Sequence, residues 1–381
     1  MRALPDPMPF SAFRVRRLLP GTLLALLLLQ GCGRFGPHPS REYVWVWAKE
    51  AYLHDRVAPV NNRVATVVNG ERLQVVEHGG RFLKVKTAKG QIGWIEEHGI
   101  IDQRVHDEFL QLQQEHAHDQ PVTTATLREN YWMRDAPGRE SDRFYLLPAD
   151  AHLQLLERAS VPKPLPPQPL PLAVERTGET SKNAPGTPSP PDMEDYWLVR
   201  DAAGHVGWVR GRTLDDDVPD AIAGLSESQK VIAAYVLRTV ADPDANVPGG
   251  QVPEYLTLLA PWQDGLPYDF NQIRVFTWNT RKHRYETAYR ERDIEGYLPV
   301  TVAQQTFGNQ QDPVFSFRVA TTAAASIDPK TGLVNSGPTE TENYRMEGVI
   351  VRRIGDQPSP HLLAPAKEAR RSEKSGHRRH R

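Results

Sequence analysis

From residue 42 onward the chain is a succession of short apolar–polar runs. A Val-Trp-Val-Trp run fills residues 44–47. The runs 72–76 and 82–86 flank His78-Gly79-Gly80, and Lys89-Gly90 turns into 91–95, so both joints read as hairpin turns between strands. Further strands are expected at 272–278, 283–290, 296–302, 313–320 and 343–354, with turns at 279–282 and 328–332. Helical spacing occurs twice. Val105, Phe109, Leu112 and His116 predict a short helix over 103–117. Val231, Ile232, Tyr235 and Val236 predict another over 226–240, stopped by Asp242-Pro243.

The pattern repeats. Residues 81–97 align without gaps on 195–211, with Val85/Val199, Ala88/Ala202, Gly90/Gly204, Gly93/Gly207 and Trp94/Trp208 identical. Upstream, residues 73–77 correspond to 153–157, and Tyr52-Leu53-His54-Asp55 corresponds to Trp132-Met133-Arg134-Asp135. The copies differ at one hairpin tip. Where the first turns at 78–80, the second inserts residues 159–193, a proline-rich run expected to stay extended and unpaired. Closure entropy grows slowly with loop length, so a tip tolerates such an insertion. The run is either a passive loop or a docking strip for an aromatic-lined groove.

Two motifs carry a family resemblance. Trp132-Met133-Arg134-Asp135-Ala136-Pro137-Gly138 is similar to the opening Asn-Val-Arg-Ser-Gly-Pro motif of bacterial SH3-like domains, and Gly-x-x-Gly-Trp-Val/Ile closes both copies. The first copy departs from the opening motif, with His54 in place of Arg and no Gly-Pro nearby. The resemblance implies a mainly β fold: two small SH3-like barrels at 42–101 and 122–214, joined by a linker helix within 102–121. A C-terminal β-rich (α+β) domain of unassigned type is expected at 220–355. In the closing motif the first glycine suits a left-handed turn, the second allows close backbone approach, and the tryptophan caps an open barrel end. Trp94 and Trp208 are either core or ligand-stacking residues. The family's aromatic clefts imply peptide or glycan ligands and nominate Trp94, Trp208, Trp132, Arg134 and Tyr196.

The N-terminus changes the picture from fold to location. Arg14, Arg16 and Arg17 precede an apolar stretch at 18–29, which is shorter than the roughly 20 residues of a spanning helix. It fits a secretory signal, residues 1–31, and Leu29-Gln30-Gly31-Cys32 resembles a bacterial lipobox. Cys32 is the sole cysteine, so the expected lipid anchor accounts for a thiol that has no disulfide partner. Gly33 in place of Asp suggests the outer membrane, facing the periplasm. The net charge of −1 hides an asymmetry: 35 basic against 44 acidic residues over 32–365, then seven Lys/Arg against two Glu over 366–381. The basic end, 356–381, reads as a solvated tail or a loose adhesion to anionic surfaces.

Catalytic signatures are missing. No GxSxG or HExxH occurs, and Cys32 is committed to lipidation, which removes the Cys-dependent wall chemistry associated with such domains. Glu115-His116-Ala117-His118-Asp119 with His106 offers zinc-type donors, but His116 and His118 point about 200° apart on a helix. No cofactor, metal or nucleic-acid partner is expected. The aromatic and basic residues of 278–285 and 289–292 suit either an ordinary amphipathic hairpin or an anionic envelope ligand. The reading is a non-catalytic envelope lipoprotein that binds peptidoglycan or envelope proteins, or else an accessory subunit of an envelope complex.

Overall fold

The computed structural model describes residues 41–164 and 191–355. Cys32, residues 165–190 of the proline-rich run and the basic tail from 356 lie outside the described residues. The first sheet contains β1 (Tyr43–Val46), β2 (Glu50–His54), β3 (Arg63–Val68), β4 (Arg72–Gly79), β5 (Phe82–Lys86), β6 (Ile92–Glu96) and β7 (Ile100–Ile101), in the order β3-β2-β6-β5-β4-β1-β7. Alternation puts Leu53, Val67, Leu73, Val85 and Ile95 on one face, where they form its core.

Helix α1 (Gln103–Glu115) follows, N-capped by Asp102, whose carboxylate accepts the Val105 N–H at 3.0 Å. The second sheet contains β8 (Thr123–Leu127), β9 (Tyr131–Arg134), β10 (Arg143–Leu147), β11 (His152–Pro162), β12 (Met193–Arg200), β13 (Val206–Arg210) and β14 (Leu214–Asp216). Its order, β10-β9-β13-β12-β11-β8-β14, repeats that of the first sheet strand for strand. Neither sheet closes into the expected barrel. The edge strands β7 and β14, two and three residues long, pair only with β1 and β8 and not with the opposite edges β3 and β10.

The C-terminal region is α2 (Asp220–Ala223), then β15 (Lys230–Ala241), β16 (Gln251–Ala260), β17 (Phe270–Asn279), β18 (Arg284–Phe307) and β19 (Gln310–Ala320). The short pair β20 (Ser326–Ile327) and β21 (Val334–Asn335) precedes β22 (Thr339–Glu347) and β23 (Ile350–Ile354). All but β20 and β21 form one antiparallel meander, β15-β16-β17-β18-β19-β22-β23. Its inner face shares a continuous core with the second sheet and α1, through Phe109, Trp197, Ile273, Val275 and Phe315. Among the described residues no helix is long and apolar enough to cross a membrane.

Four further expectations change. The helix expected over 226–240 is the strand β15. Register shifts at Val231/Ala233 and Val236/Arg238 insert extra residues against β16, and these bulges make an apolar strand mimic helical spacing. The strands expected at 283–290 and 296–302 are one strand, β18. The strand expected over 343–354 is a hairpin, turned by Gly348 at φ +58°. Finally, the expected insertion loop begins later than 159, because β11 and β12 stay paired as far as Pro162↔Met193.

Candidate binding cleft

Both closing motifs work as their residue types require. Gly90 and Gly204 take φ +83° and +88°, the left-handed turn that favours glycine. The second glycine of each motif sits where two strands cross. A Cβ on Gly93 would lie 2.8 Å from Leu53 Cβ and 3.0 Å from the His54 carbonyl oxygen. One on Gly207 would lie 2.8 Å from Met133 Cβ and 3.1 Å from the Arg134 carbonyl oxygen. The crossings themselves are single residue pairs, His54↔Trp94 and Trp208↔Arg134.

The tryptophans then meet different surroundings. The Trp94 ring lies over Gly79, where a Cβ would fall 2.5 Å from the ring. It stays half-buried in a cleft of about 550 Å³ that also takes in Trp47, Tyr52, His54, Arg56 and Phe82. Tyr52 is 37% exposed and carries the Arg63 guanidinium 3.5 Å above its ring, while Lys84 Nζ lies 5.6 Å from the Trp94 ring. His54 Nδ1 is buried in this wall without a hydrogen-bond partner. The Arg56 side chain and the Asn62 backbone N–H hold the Asp55 carboxyl well below the usual carboxylate range. The cleft thus joins apolar ring faces to one guanidinium, Arg56, and two carboxylates, Glu50 and Glu96. Such a surface suits polar ligands that present flat apolar faces to the rings and both donors and acceptors to the charged groups.

In the second sheet the same position is filled. Trp208 is 6% exposed and packs with Leu156, Ala159, Tyr196 and Leu198 beneath Leu112 and Leu333. Ala159, the register counterpart of Gly79, forms a backbone bridge with Leu333, and Ser160 N–H donates to the Gly332 carbonyl at 2.7 Å. The turn carrying Leu333 is braced by Asp328, whose Oδ1 accepts from Lys330 N and Thr331 N. Beside it, Glu194 is 1% exposed and takes both Arg139 nitrogens at 3.0 Å, Arg210 at 2.5 Å and the Tyr196 hydroxyl at 3.0 Å. Burial raises the Glu194 pKa, but the two arginines and the tyrosine more than offset it and hold it at about 2.

The other nominated residues scatter. Tyr196 is fully buried. Arg134 holds its own loop, donating to the carbonyls of Arg139 (3.0 Å) and Ser141 (2.7 Å). Trp132 lies where the two sheets meet; its Nε1 donates to the Trp47 carbonyl at 3.1 Å and its ring meets Trp47 edge-on. Of the five, Trp94 alone lines the cleft of the first sheet. Tyr52, His54 and Arg56 were not nominated, although the alignment of 52–55 on 132–135 had placed the first two opposite Trp132 and Arg134. The candidate zinc donors separate too: His106 stacks on Trp45 at 3.9 Å, and His116 pairs with Asp119 at 2.7 Å at the end of α1.

Residues 56–100 match the family described as the bacterial SH3 domain. The second sheet, where the opening motif is clearer, is interrupted in that pattern by the insertion between β11 and β12. No curated protein matches the chain. Similar solved structures include NlpC2 from Trichomonas vaginalis, 10% identical over 65% of this chain and 92% of that one, with a TM-score of 0.15. Another is an NlpC/P60 family protein from Bacillus cereus, 10% identical over 64% of this chain and 98% of that one, with a TM-score of 0.21.

Proposed function

We propose that this protein is a lipid-anchored envelope protein that holds peptidoglycan, without cleaving it, in the cleft of its first SH3 domain. The observation that carries this reading is the contrast between the sheets. Trp94 stands half-buried in an open aromatic cleft of about 550 Å³ that also holds Arg56, Glu50 and Glu96, whereas its counterpart Trp208 is buried in a cluster against which the protein's own Leu112, Val161 and Leu333 pack. On this reading the second sheet is a domain of the same kind, supported by its identical strand order, turned from binding to scaffolding. Cys32 is the acylated anchor, and the outer membrane is the site of attachment.

The test is retention of the soluble protein, residues 33–381, on isolated sacculi. Tyr52→Ala and Arg56→Ala change exposed cleft residues and should each reduce retention several-fold at low salt. Unchanged retention in both would sink the reading. An accessory role in an envelope complex draws on another observation: Val349, Ile350 and Ile354 are 57%, 50% and 40% exposed around edge strand β23. No retention on sacculi, with a stoichiometric protein partner lost on Ile350→Lys, would favour that role.

A further inference from the structure

Arg274 on β17 is 1% exposed, the largest fully buried side chain among the described residues. Its ladder partner on β18 is Arg290, and the next pair on the same face is Gln272↔Arg292. Ile273 and Val275 turn the other way into the core, as does Glu291, which accepts from the Tyr289 and Tyr344 hydroxyls. The aromatic and basic residues of 289–292 therefore part to opposite faces, and three guanidiniums share the outer one.

One carboxylate serves all three. Glu227 contacts Arg274 Nη2, Arg290 Nη2 at 2.6 Å and Arg292 Nη2 at 3.3 Å, and its side chain is 55% exposed. Buried guanidiniums elsewhere in the molecule fare differently. Arg158 has two carboxylates, Asp195 and Asp269, both themselves largely buried. Formally the cluster carries three positive charges against one negative. Two of its donors, Arg274 Nε and Arg290 Nε, are buried with no hydrogen-bond partner. A desolvated charge is costly unless it is paired and hydrogen-bonded, so unspent donors beside surplus cations favour an anion with more acceptors than one carboxylate.

The residue that supplies Glu227 is itself held under strain. Glu227 and Ser228 both take left-handed backbone angles, φ 53° and 66°, which side-chain-bearing residues adopt only at a cost. The turn over residues 224–229 is tied down by the Glu227 contacts and by Arg274 Nη1, which donates to the Leu225 carbonyl at 2.6 Å. Displacing the carboxylate would relieve part of that strain. A tetrahedral dianion offers more acceptors and more charge than one carboxylate, and guanidinium forks match phosphate oxygens in pairs.

We propose that Arg274, Arg290 and Arg292 form a phosphate-binding site in which Glu227 is the resident anion that an incoming phosphomonoester displaces. The ligand chemistry is a phosphate dianion, carried on a lipid headgroup or on a soluble sugar. Full-length protein in neutral detergent is titrated with sodium phosphate against chloride of equal ionic strength, read by calorimetry and thermal unfolding. Phosphate should raise Tm where chloride does not. Glu227→Gln should bind phosphate at least 10-fold tighter, and Arg290→Gln with Arg292→Gln at least 10-fold more weakly. Where Glu227→Gln fails to fold by circular dichroism, Glu227→Asp, whose shorter carboxylate reaches fewer of the guanidiniums, should also tighten binding. Competition by micellar phosphatidic acid and by glucose 1-phosphate then assigns the source. Absence of phosphate binding in both the wild type and the Glu227 variants overturns the site, as does binding that the arginine substitutions leave unchanged.

Discussion

Ala159 and Leu333 are joined by a backbone bridge that lays the C-terminal β20–β21 turn over the second sheet, on the cluster containing Trp208. The first sheet has Gly79 at the equivalent place, under the Trp94 ring, and its cleft is lined by residues between Trp47 and Gly99. The Ala159–Leu333 bridge adds Leu333 to the cover that Leu112 and Val161 give the Trp208 cluster. Leu333→Ala should lower stability by about 1–3 kcal/mol, allowing for its partial burial. It should also speed amide exchange in β13 while leaving β6 unchanged, measured by hydrogen–deuterium exchange.

The crossing glycines should be the least replaceable positions of the closing motifs. Gly93→Ala and Gly207→Ala each push a Cβ against backbone and a neighbouring Cβ, and should cost about 1–3 kcal/mol in denaturant unfolding. Gly90→Ala meets open space and should cost about 1 kcal/mol, the left-handed backbone preference alone. An equal cost at Gly90 and Gly93 would contradict the close-approach account.

Arg158 ties the second sheet to the C-terminal region. Its Nε lies 3.0 Å from Asp269 and its Nη1 3.2 Å from Asp195, while Nη2 donates to the carbonyls of Leu266 and Tyr268. Arg158→Ala leaves buried carboxylates unpaired and should cost about 3–5 kcal/mol. Calorimetry should then resolve the C-terminal sheet as a separate, earlier transition.

Burial pushes the Asp135 carboxyl up to about 6, helped by its hydrogen bond to Glu108 and the charges of Asp142 and Glu108. The folded protein therefore holds this proton more tightly than the unfolded chain does. Stability should be greatest below about pH 4 as far as this group is concerned, and should fall as pH rises from about 4 to about 6. Asp135→Asn should flatten that limb and stabilise the protein at neutral pH by about 1–3 kcal/mol, measured by urea unfolding across pH 3.5 to 7.5. A limb as steep in the variant as in the wild type would assign the effect elsewhere.

The proposed anchor has a direct check. Cys32→Ser should leave a larger, unacylated precursor in metabolic labelling with palmitate, whereas labelling equal to the wild type would refute acylation at that residue.

The sequence by itself determined what depends on local geometry. Glycines at 90 and 204, glycines at 93 and 207 and the tryptophans that follow them specify the same turn and the same crossing wherever they occur. Alternation in 72–76, 82–86 and 91–95 placed the strands of the first sheet, and the spacing from Val105 to Leu112 placed α1. Residues 226–240 were misread because two bulges shift an apolar strand toward helical periodicity, and only pairing with β16 decides between the two. The cleft was legible in part: Trp94 is marked by its motif, but nothing near Trp208 announces that Leu333 will pack against its cluster. Nor does the spacing of Glu227, Arg274, Arg290 and Arg292 reveal that one carboxylate meets three guanidiniums. Contacts between distant segments come from packing a shared core, and that packing, set by the whole chain at once, decided which repeated surface stayed open.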